Sequence, residues 1–230
     1  MTLKNILPLF ISILFLSCGN SDNSEEFIKN TSGRYLYNSD EVIEVFFQEG
    51  KLNLKWRGAT KIQPMKVDDN TFFVKEMNEK IQFLMNPSDK MQYIVLVPKS
   101  ESDSIVFNYK KLKINENVPS EYLKNKEFDK ALAGYLSIKS NDSLDSSINE
   151  SNFNRLGYQK LGNKEFENAI QIFKINIALY PNSSNVYDSY GEALLKSGDT
   201  VQAIVSYKKS LSLDSGNSRA KRMLKKYDKK

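Results

Sequence analysis

Two Ser-x-x-Lys tetrads, Ser206 with Lys209 and Ser218 with Lys221, are the arrangement in this chain closest to a catalytic pair. At that spacing a lysine amine can take the proton of a serine hydroxyl and turn it into a nucleophile. Both tetrads fall in segments of helical-repeat pattern, where a nucleophile would stand without an enclosed pocket, and so common a pattern recurs readily by chance. The chain has no histidine. That excludes serine–histidine and cysteine–histidine catalysis, histidine zinc sites and the commonest general base near neutral pH. The single cysteine, Cys18, excludes an intrachain disulfide and a cysteine metal cluster. The acid pairs Glu25-Glu26 and Asp68-Asp69 lie in polar or turn segments and read as solvated. No cluster of glycines precedes a helix in the manner of a phosphate cradle. The sequence therefore predicts no catalytic residue, no metal and no cofactor, and it points to binding.

Cys18 carries a different chemistry. Lys4 is followed by an apolar run over residues 6–16. A membrane-spanning helix needs about 20 apolar residues, so this shorter run fits the core of a secretory signal peptide over residues 1–17. It ends Leu16-Ser17-Cys18-Gly19, which resembles the bacterial lipoprotein box, with Phe15 where the commonest pattern has Leu. The resemblance implies cleavage before Cys18 and lipidation of that residue. Two acyl chains already suffice for stable anchoring. Residues 18–32, polar and acidic at their start, are read as a flexible tether. Asp does not follow Cys18, which by resemblance to known sorting signals leans toward the outer membrane. The expected location is the cell envelope, with the lipid as the membrane contact.

The elements beyond the tether divide into two kinds. Apolar content of 40% and charged content of 27% match an ordinary globular chain, so both parts are expected to fold. Over residues 33–113 the pattern has a period of two. Strand candidates are 33–37, 42–47, 52–56, 61–67, 71–75, 80–85, 91–97 and 104–112, separated by turn residues such as Gly50, Asp68-Asp69-Asn70 and Asn86-Pro87. Eight short strands at this spacing suggest an antiparallel meander curled into a small barrel. Trp56, on an alternating strand, reads as core rather than as a stacking platform.

Over residues 150–217 one motif is written twice, 34 residues apart: Leu156, Gly157, Ala169, Phe173 and Pro181, then Tyr190, Gly191, Ala203, Tyr207 and Ser215. A period of that length predicts stacked helix–turn–helix units. A worn copy precedes them, because Asn125-Lys126-Glu127-Phe128 recurs 38 residues later as Asn163-Lys164-Glu165-Phe166. The predicted helices are 152–161, 166–179, 185–197 and 200–213, with Gly162 and Gly198 as left-handed caps. Gly157 and Gly191 fall inside helices, where Gly costs about 1 kcal/mol relative to Ala. Close contact with Ala169 and Ala203 would compensate. Residues 218–230 form a last helix with Ala220, Met223, Leu224 and Tyr227 on one stripe and Lys and Arg opposite, a solvating cap rather than a nucleic-acid contact. The predicted fold class is thus α+β: an antiparallel β-domain over 33–113, a helical-repeat array over 119–217 and a capping helix.

These repeat residues resemble the tetratricopeptide (TPR) family. The resemblance implies a protein-binding groove lined by Asn154, Tyr158 and Leu161, then Asp188, Glu192 and Lys196. Asp188 and Glu192 stand where chaperone-type repeats place Lys and Asn to clamp a terminal carboxylate, so the expected ligand is an uncharged or basic segment. Residues 33–217 also resemble the β-domain and short TPR tail that follow the catalytic domain in bacterial beta-lactamase-like serine hydrolases, a resemblance carried by Glu49-Gly50-Lys51-Leu52, Thr71-Phe72-Phe73 and Tyr180-Pro181-Asn182-Ser183. The hydrolase domain itself is missing. The expected function is protein or peptide binding at the envelope without catalysis. Two other expectations are an accessory subunit of a serine hydrolase and a β-domain holding a small lipid or glycan.

Overall fold

The computed structural model describes residues 23–100 and 102–228, so Cys18 and the first residues of the expected tether lie outside the described residues. Among the described residues the alternating segment forms nine strands: β1 (Gly33–Asn38), β2 (Glu41–Gln48), β3 (Lys51–Trp56), β4 (Ala59–Ile62), β5 (Met65–Lys66), β6 (Thr71–Val74), β7 (Glu79–Met85), β8 (Gln92–Leu96) and β9 (Tyr109–Lys110). Every neighbouring pair is antiparallel. The period of two puts one face of each strand inward: Val45 pairs with Leu54 across β2 and β3, and all of Ile43, Val45, Leu52 and Leu54 are buried.

The expected barrel is not closed. β1 to β4 make one sheet and β5 to β9 another. The single strand expected over 61–67 is split into β4 and β5 by Gln63-Pro64, since proline has no N–H to give to a ladder. The two sheets meet at the opposite side, where Tyr35 bridges Lys111 and the Leu112 N–H donates to the Arg34 carbonyl (2.7 Å). Of the strand expected over 104–112, only β9 forms.

Residues 25–31, expected within the tether, form the helix α1 (Glu25–Thr31). Ser24 Oγ caps it by accepting the Phe27 N–H (3.1 Å). Phe27 then enters the β-domain, with ring centroids 6.0 Å from Phe47, 5.9 Å from Phe72 and 5.6 Å from Phe83. Tyr35 adds its ring to Phe83 and donates its hydroxyl to the Thr31 carbonyl (2.8 Å). Burial pushes the Tyr35 phenol well above its ordinary range. These side chains form one core shared by the two sheets. Trp56, 8% exposed, belongs to the same core, with Tyr37 on one side and the Arg57 guanidinium 4.6 Å from its ring centroid.

The remainder is helical: α2 (Pro119–Lys124), α3 (Phe128–Asn141), α4 (Glu150–Gly162), α5 (Phe166–Leu179), α6 (Ser184–Ser197), α7 (Thr200–Leu213) and α8 (Ser218–Tyr227). They form three helical hairpins and a cap, in the arrangement expected of TPR-like repeats. Among the described residues no helix is long and apolar enough to cross a membrane.

The β-domain is joined to the first hairpin by polar contacts. Val118, the residue before α2, has no side chain able to cap it, and Asp40 from the β1–β2 turn does so instead. Its Oδ1 accepts the Ser120 N–H (2.6 Å) and its Oδ2 accepts the Tyr135 hydroxyl (3.0 Å). Arg34 pairs with Glu121, and Ser39 donates to Asp145 (2.5 Å). Burial raises the Asp40 carboxyl above its ordinary value, against the lowering effect of the bonds from Ser120 and Tyr135.

Candidate functional site

The repeated glycines place the first helix of each unit against the second. A β-carbon at Gly157 would stand 2.5 Å from Phe173 Cζ, and one at Gly191 would stand 3.0 Å from Tyr207 Cζ. The notch expected to receive Ala169 and Ala203 is therefore filled by the aromatics Phe173 and Tyr207, while both alanines are fully buried nearby. Pro181 lies just past α5, whose C-cap is Tyr180. Gly198 takes the left-handed cap (φ 97°) as expected, but Gly162 does not. The position equivalent to Gly198 is Lys164, and Lys164 (φ 60°) and Lys126 (φ 63°) carry the left-handed turn in the two earlier units.

The expected groove residues separate into three groups. Leu161 does not line a groove; at 5% exposure it is part of the core shared by α4 to α8. In register it matches Leu195, whereas Lys196 matches Gly162, so the two sets taken from the motif are one residue out of step. Tyr158, Asp188 and Glu192 come together. The Tyr158 hydroxyl donates to Glu192 Oε2 (3.1 Å), and its ring packs edge-on against Phe173. Lys196 reaches Glu192 only loosely, at 3.7 Å. Asn154 stands one repeat before Asp188, and the Oδ1 atoms of both are buried without a hydrogen-bond partner among the described residues.

Arg219 of α8 completes this cluster, and the motif does not mark it. Its guanidinium pairs with Glu192, reaches Asp188 Oδ2 (3.2 Å) and donates to the Tyr158 hydroxyl (2.9 Å). Burial holds the Asp188 carboxyl above the ordinary range, with Arg219 and Arg222 pulling it back down. The acidic pair expected to receive a basic ligand is thus neutralised by the chain's own cap. A cationic residue in the last helix, at helical spacing from Arg222, is the only sequence signal of this.

A second feature lies one hairpin earlier. α2 has 6 residues against 13 in α4, and the two stand on opposite sides of a cleft of about 470 Å³. Its floor is Leu123, Phe128, Tyr135, Phe153, Leu156 and Ile172. Its rim carries Lys124, Lys126, Arg155 and Lys160. Of these, Lys160 is paired with Glu165 (3.1 Å), and the other three make no side-chain ion pair or hydrogen bond among the described residues. The following first helices, α4 and α6, pack directly against each other, so no such cleft recurs between them.

Neither Ser-x-x-Lys tetrad forms a reactive pair. Ser206 is buried and donates to the Tyr187 carbonyl (2.7 Å), while Lys209 stands over the Tyr187 ring. Among the described residues no group of three or more acids or thiols is placed to hold a metal ion.

No family model and no curated protein matches the chain. Among solved structures, it is similar to the first TPR of Spaghetti (RPAP3) bound to HSP90 peptide SRMEEVD, at 21% identity over 48% of this chain and 85% of that one, with a TM-score of 0.34. It is also similar to the Arabidopsis OM64 TPR domain, at 19% identity over 48% and 88% with a TM-score of 0.34. The crystal structure of MamA is similar at 17% identity over 50% and 84%, with a TM-score of 0.35. With these TM-scores below 0.5, the repeat architecture rests on the chain's own period and helix packing.

Proposed function

We propose that this chain is a lipid-anchored protein-interaction module of the cell envelope, acting by binding and not by catalysis. The observation that carries the reading is the uncovered side of α4. There, partly exposed apolar side chains line a cleft of about 470 Å³, within the size range of binding sites, in a helical-repeat array. The acidic cluster one repeat later is paired with Arg219 and serves to hold α8.

The anchor is the lipidated Cys18, and the outer membrane is its proposed location. The chain is pinned to the β-domain by Asn23, whose side chain donates to the Gly50 carbonyl (2.8 Å). Asn23 stands five positions after Cys18. At most about 3.6 Å per residue, the link reaches roughly 18 Å, which holds the β-domain close to the bilayer. Through Asp40 and Arg34 it presents the repeats in a set orientation.

The test is a photo-crosslinking side chain placed at the exposed position 155, beside the cleft, or at the exposed position 205 on α7, in membranes from cells expressing the chain. A discrete adduct from 155 that is absent from 205 is expected. Adducts from 205 alone, or none from either, discard the reading. For the anchor, Cys18→Ser is expected to abolish incorporation of labelled palmitate and release the chain from membranes; a membrane-bound, unlabelled wild type rejects it.

A further inference from the structure

We infer that the end of the β-domain around β5 and the start of α1 seats on the bilayer surface, with Met65, Val67 and Met85 entering the headgroup region. The inference rests on the lipid anchor proposed at Cys18. It adds to that anchor a second membrane contact and a fixed orientation.

The path of the chain decides which face lies nearest the membrane. Asn23 is held to the Gly50 carbonyl in the turn between β2 and β3. It stands five positions after Cys18, a reach of at most about 18 Å, so the surface around Asn23 is kept nearest the lipid. Among the described residues five large apolar side chains are exposed on the β-domain: Met65, Val67, Met85, Ile105 and Val106. Three of them flank the start of α1. Met65 (65% exposed) and Val67 line, with Asn23, a hollow of about 550 Å³. Met85 (61% exposed) lines, with Ser24, a second hollow of about 320 Å³. Met65 and Val67 stand two residues apart along the free edge of the second sheet and so point the same way. The Val67 N–H donates to the Thr71 carbonyl (2.9 Å), which fixes that edge. Unbranched methionine adapts to irregular apolar surroundings such as the boundary of a lipid layer.

The repeats leave from the opposite end. Asp40 precedes β2 and Gly50 follows it, so the cap on α2 and the hold on Asn23 lie at the two ends of one strand. The 8 residues of β2 span roughly 26 Å at about 3.3 Å each. Seating the Gly50 end on the bilayer therefore points the Asp40 end, and the repeats it holds, away from the lipid.

The charges around the hollows decide how this surface binds. Lys51, Lys66, Asp68 and Asp69 line the first, and Glu26 lines the second. Asp68 Oδ1 accepts the Asn70 and Thr71 N–H groups (3.2 and 2.9 Å). With both signs present the patch offers an anionic headgroup no net attraction. Removal of apolar area from water is then the driving force, and a zwitterionic bilayer suffices.

The native methionines report the contact. The palmitate-bearing chain, bound to vesicles of zwitterionic phosphatidylcholine, is treated with the water-soluble oxidant chloramine-T. Sulfoxide formation at each methionine, which follows exposure to water, is read by mass spectrometry. The Cys18→Ser chain in solution is the reference. Leu144→Met supplies a reporter at a 90% exposed position, in the loop whose Asp145 holds Ser39 at the repeat end. Met65 and Met85 are expected to oxidise at least about fivefold more slowly on vesicles than in solution, and the reporter at position 144 less than about twofold. Added salt is expected to change neither. The double variant Met65→Glu, Val67→Glu, at two exposed positions, is expected to keep the thermal midpoint and to return Met85 to its solution rate. Equal rates on vesicles and in solution, equal slowing at position 144, or continued protection of Met85 in the double variant overturns the inference. Protection that needs anionic lipid and is lost in salt overturns it in favour of a contact through charge. Slowing in the Cys18→Ser chain as its concentration rises overturns it in favour of contact between two copies. A chain that takes up no palmitate overturns the anchor and this inference together. A palmitate-bearing chain with freely oxidised Met65 and Met85 leaves the anchor standing and removes only the seating.

Discussion

Tyr158 and Glu192 occupy the same step of the repeat, 34 residues apart, and are joined by a hydrogen bond of 3.1 Å across two stacked helices. Arg219, on the cap, bonds to both. A repeat motif thus becomes a polar ladder running along one face, from the second hairpin to the third and on to the last helix. The ladder ties the cap to the array through Asp188, whose buried carboxyl needs the guanidinium more than the guanidinium needs it.

Removing Arg219 should therefore destabilise the array. Arg219→Met leaves the Asp188 charge buried without its partner. A fully buried unpaired charge costs about 3–5 kcal/mol, and because Arg219 remains one-third exposed to water we expect about 1–2 kcal/mol. Adding Asp188→Asn should recover most of that loss in urea unfolding. A double variant no more stable than Arg219→Met would mean that the pair is not the cause.

The two close glycine contacts should respond unequally. Alanine gains about 1 kcal/mol of helix propensity over glycine, while forcing an atom into a packed site costs about 1–3 kcal/mol. At Gly157 the new carbon meets the fully buried Phe173 ring at 2.5 Å, so the clash wins and Gly157→Ala should lose about 1–2 kcal/mol. At Gly191 the approach is 3.0 Å and the two effects nearly cancel. Thermal unfolding of the two variants decides it, and a larger loss at Gly191 contradicts the packing account.

Asp40 gives the fold an unusual pH response. Its carboxyl is raised by burial, so in the window between the ordinary carboxylate value near 3.9 and the raised value the folded state binds more protons than the unfolded chain. In that window Asp40 adds stability as pH falls and withdraws it as pH rises. Asp40→Asn should remove this contribution to the slope and keep an acceptor for the Ser120 N–H. Asp40→Ala should lose the cap as well, costing about 1–2 kcal/mol at every pH. Urea midpoints at pH 4 to 7 test this, and equal losses for both variants at pH 7 would refute it.

Phe27 should behave as core although it lies in the segment expected to be a tether. It is partly buried among three rings, so Phe27→Ala should cost about 2–3 kcal/mol, at or below the low end for buried aromatics. It should also expose the peptide bond after Lys29 to trypsin. A variant as stable and as resistant as wild type would return the helix to the tether.

The local periods were legible in the chain before any fold was drawn. The helices expected at 166–179 and 200–213 end where α5 and α7 end, because one spacing of Ala, aromatic and apolar residues encodes one helix face whatever packs on it. The inward residues of the strands could be read for the same reason. Features that depend on partners far away in the chain emerge only on folding. Pro64 divides the sheet because two edges must lie apart around one core. Glu25 to Thr31 form a helix because Phe27 finds rings at positions 47, 72 and 83. The left-handed cap falls at Lys164 rather than Gly162, since the chain turns where the next helix must pack. Above all, the charge along the faces of the first helices is set in three dimensions. Asp188 and Glu192 are acidic in the motif, but Arg219 folds back onto them and pairs with both.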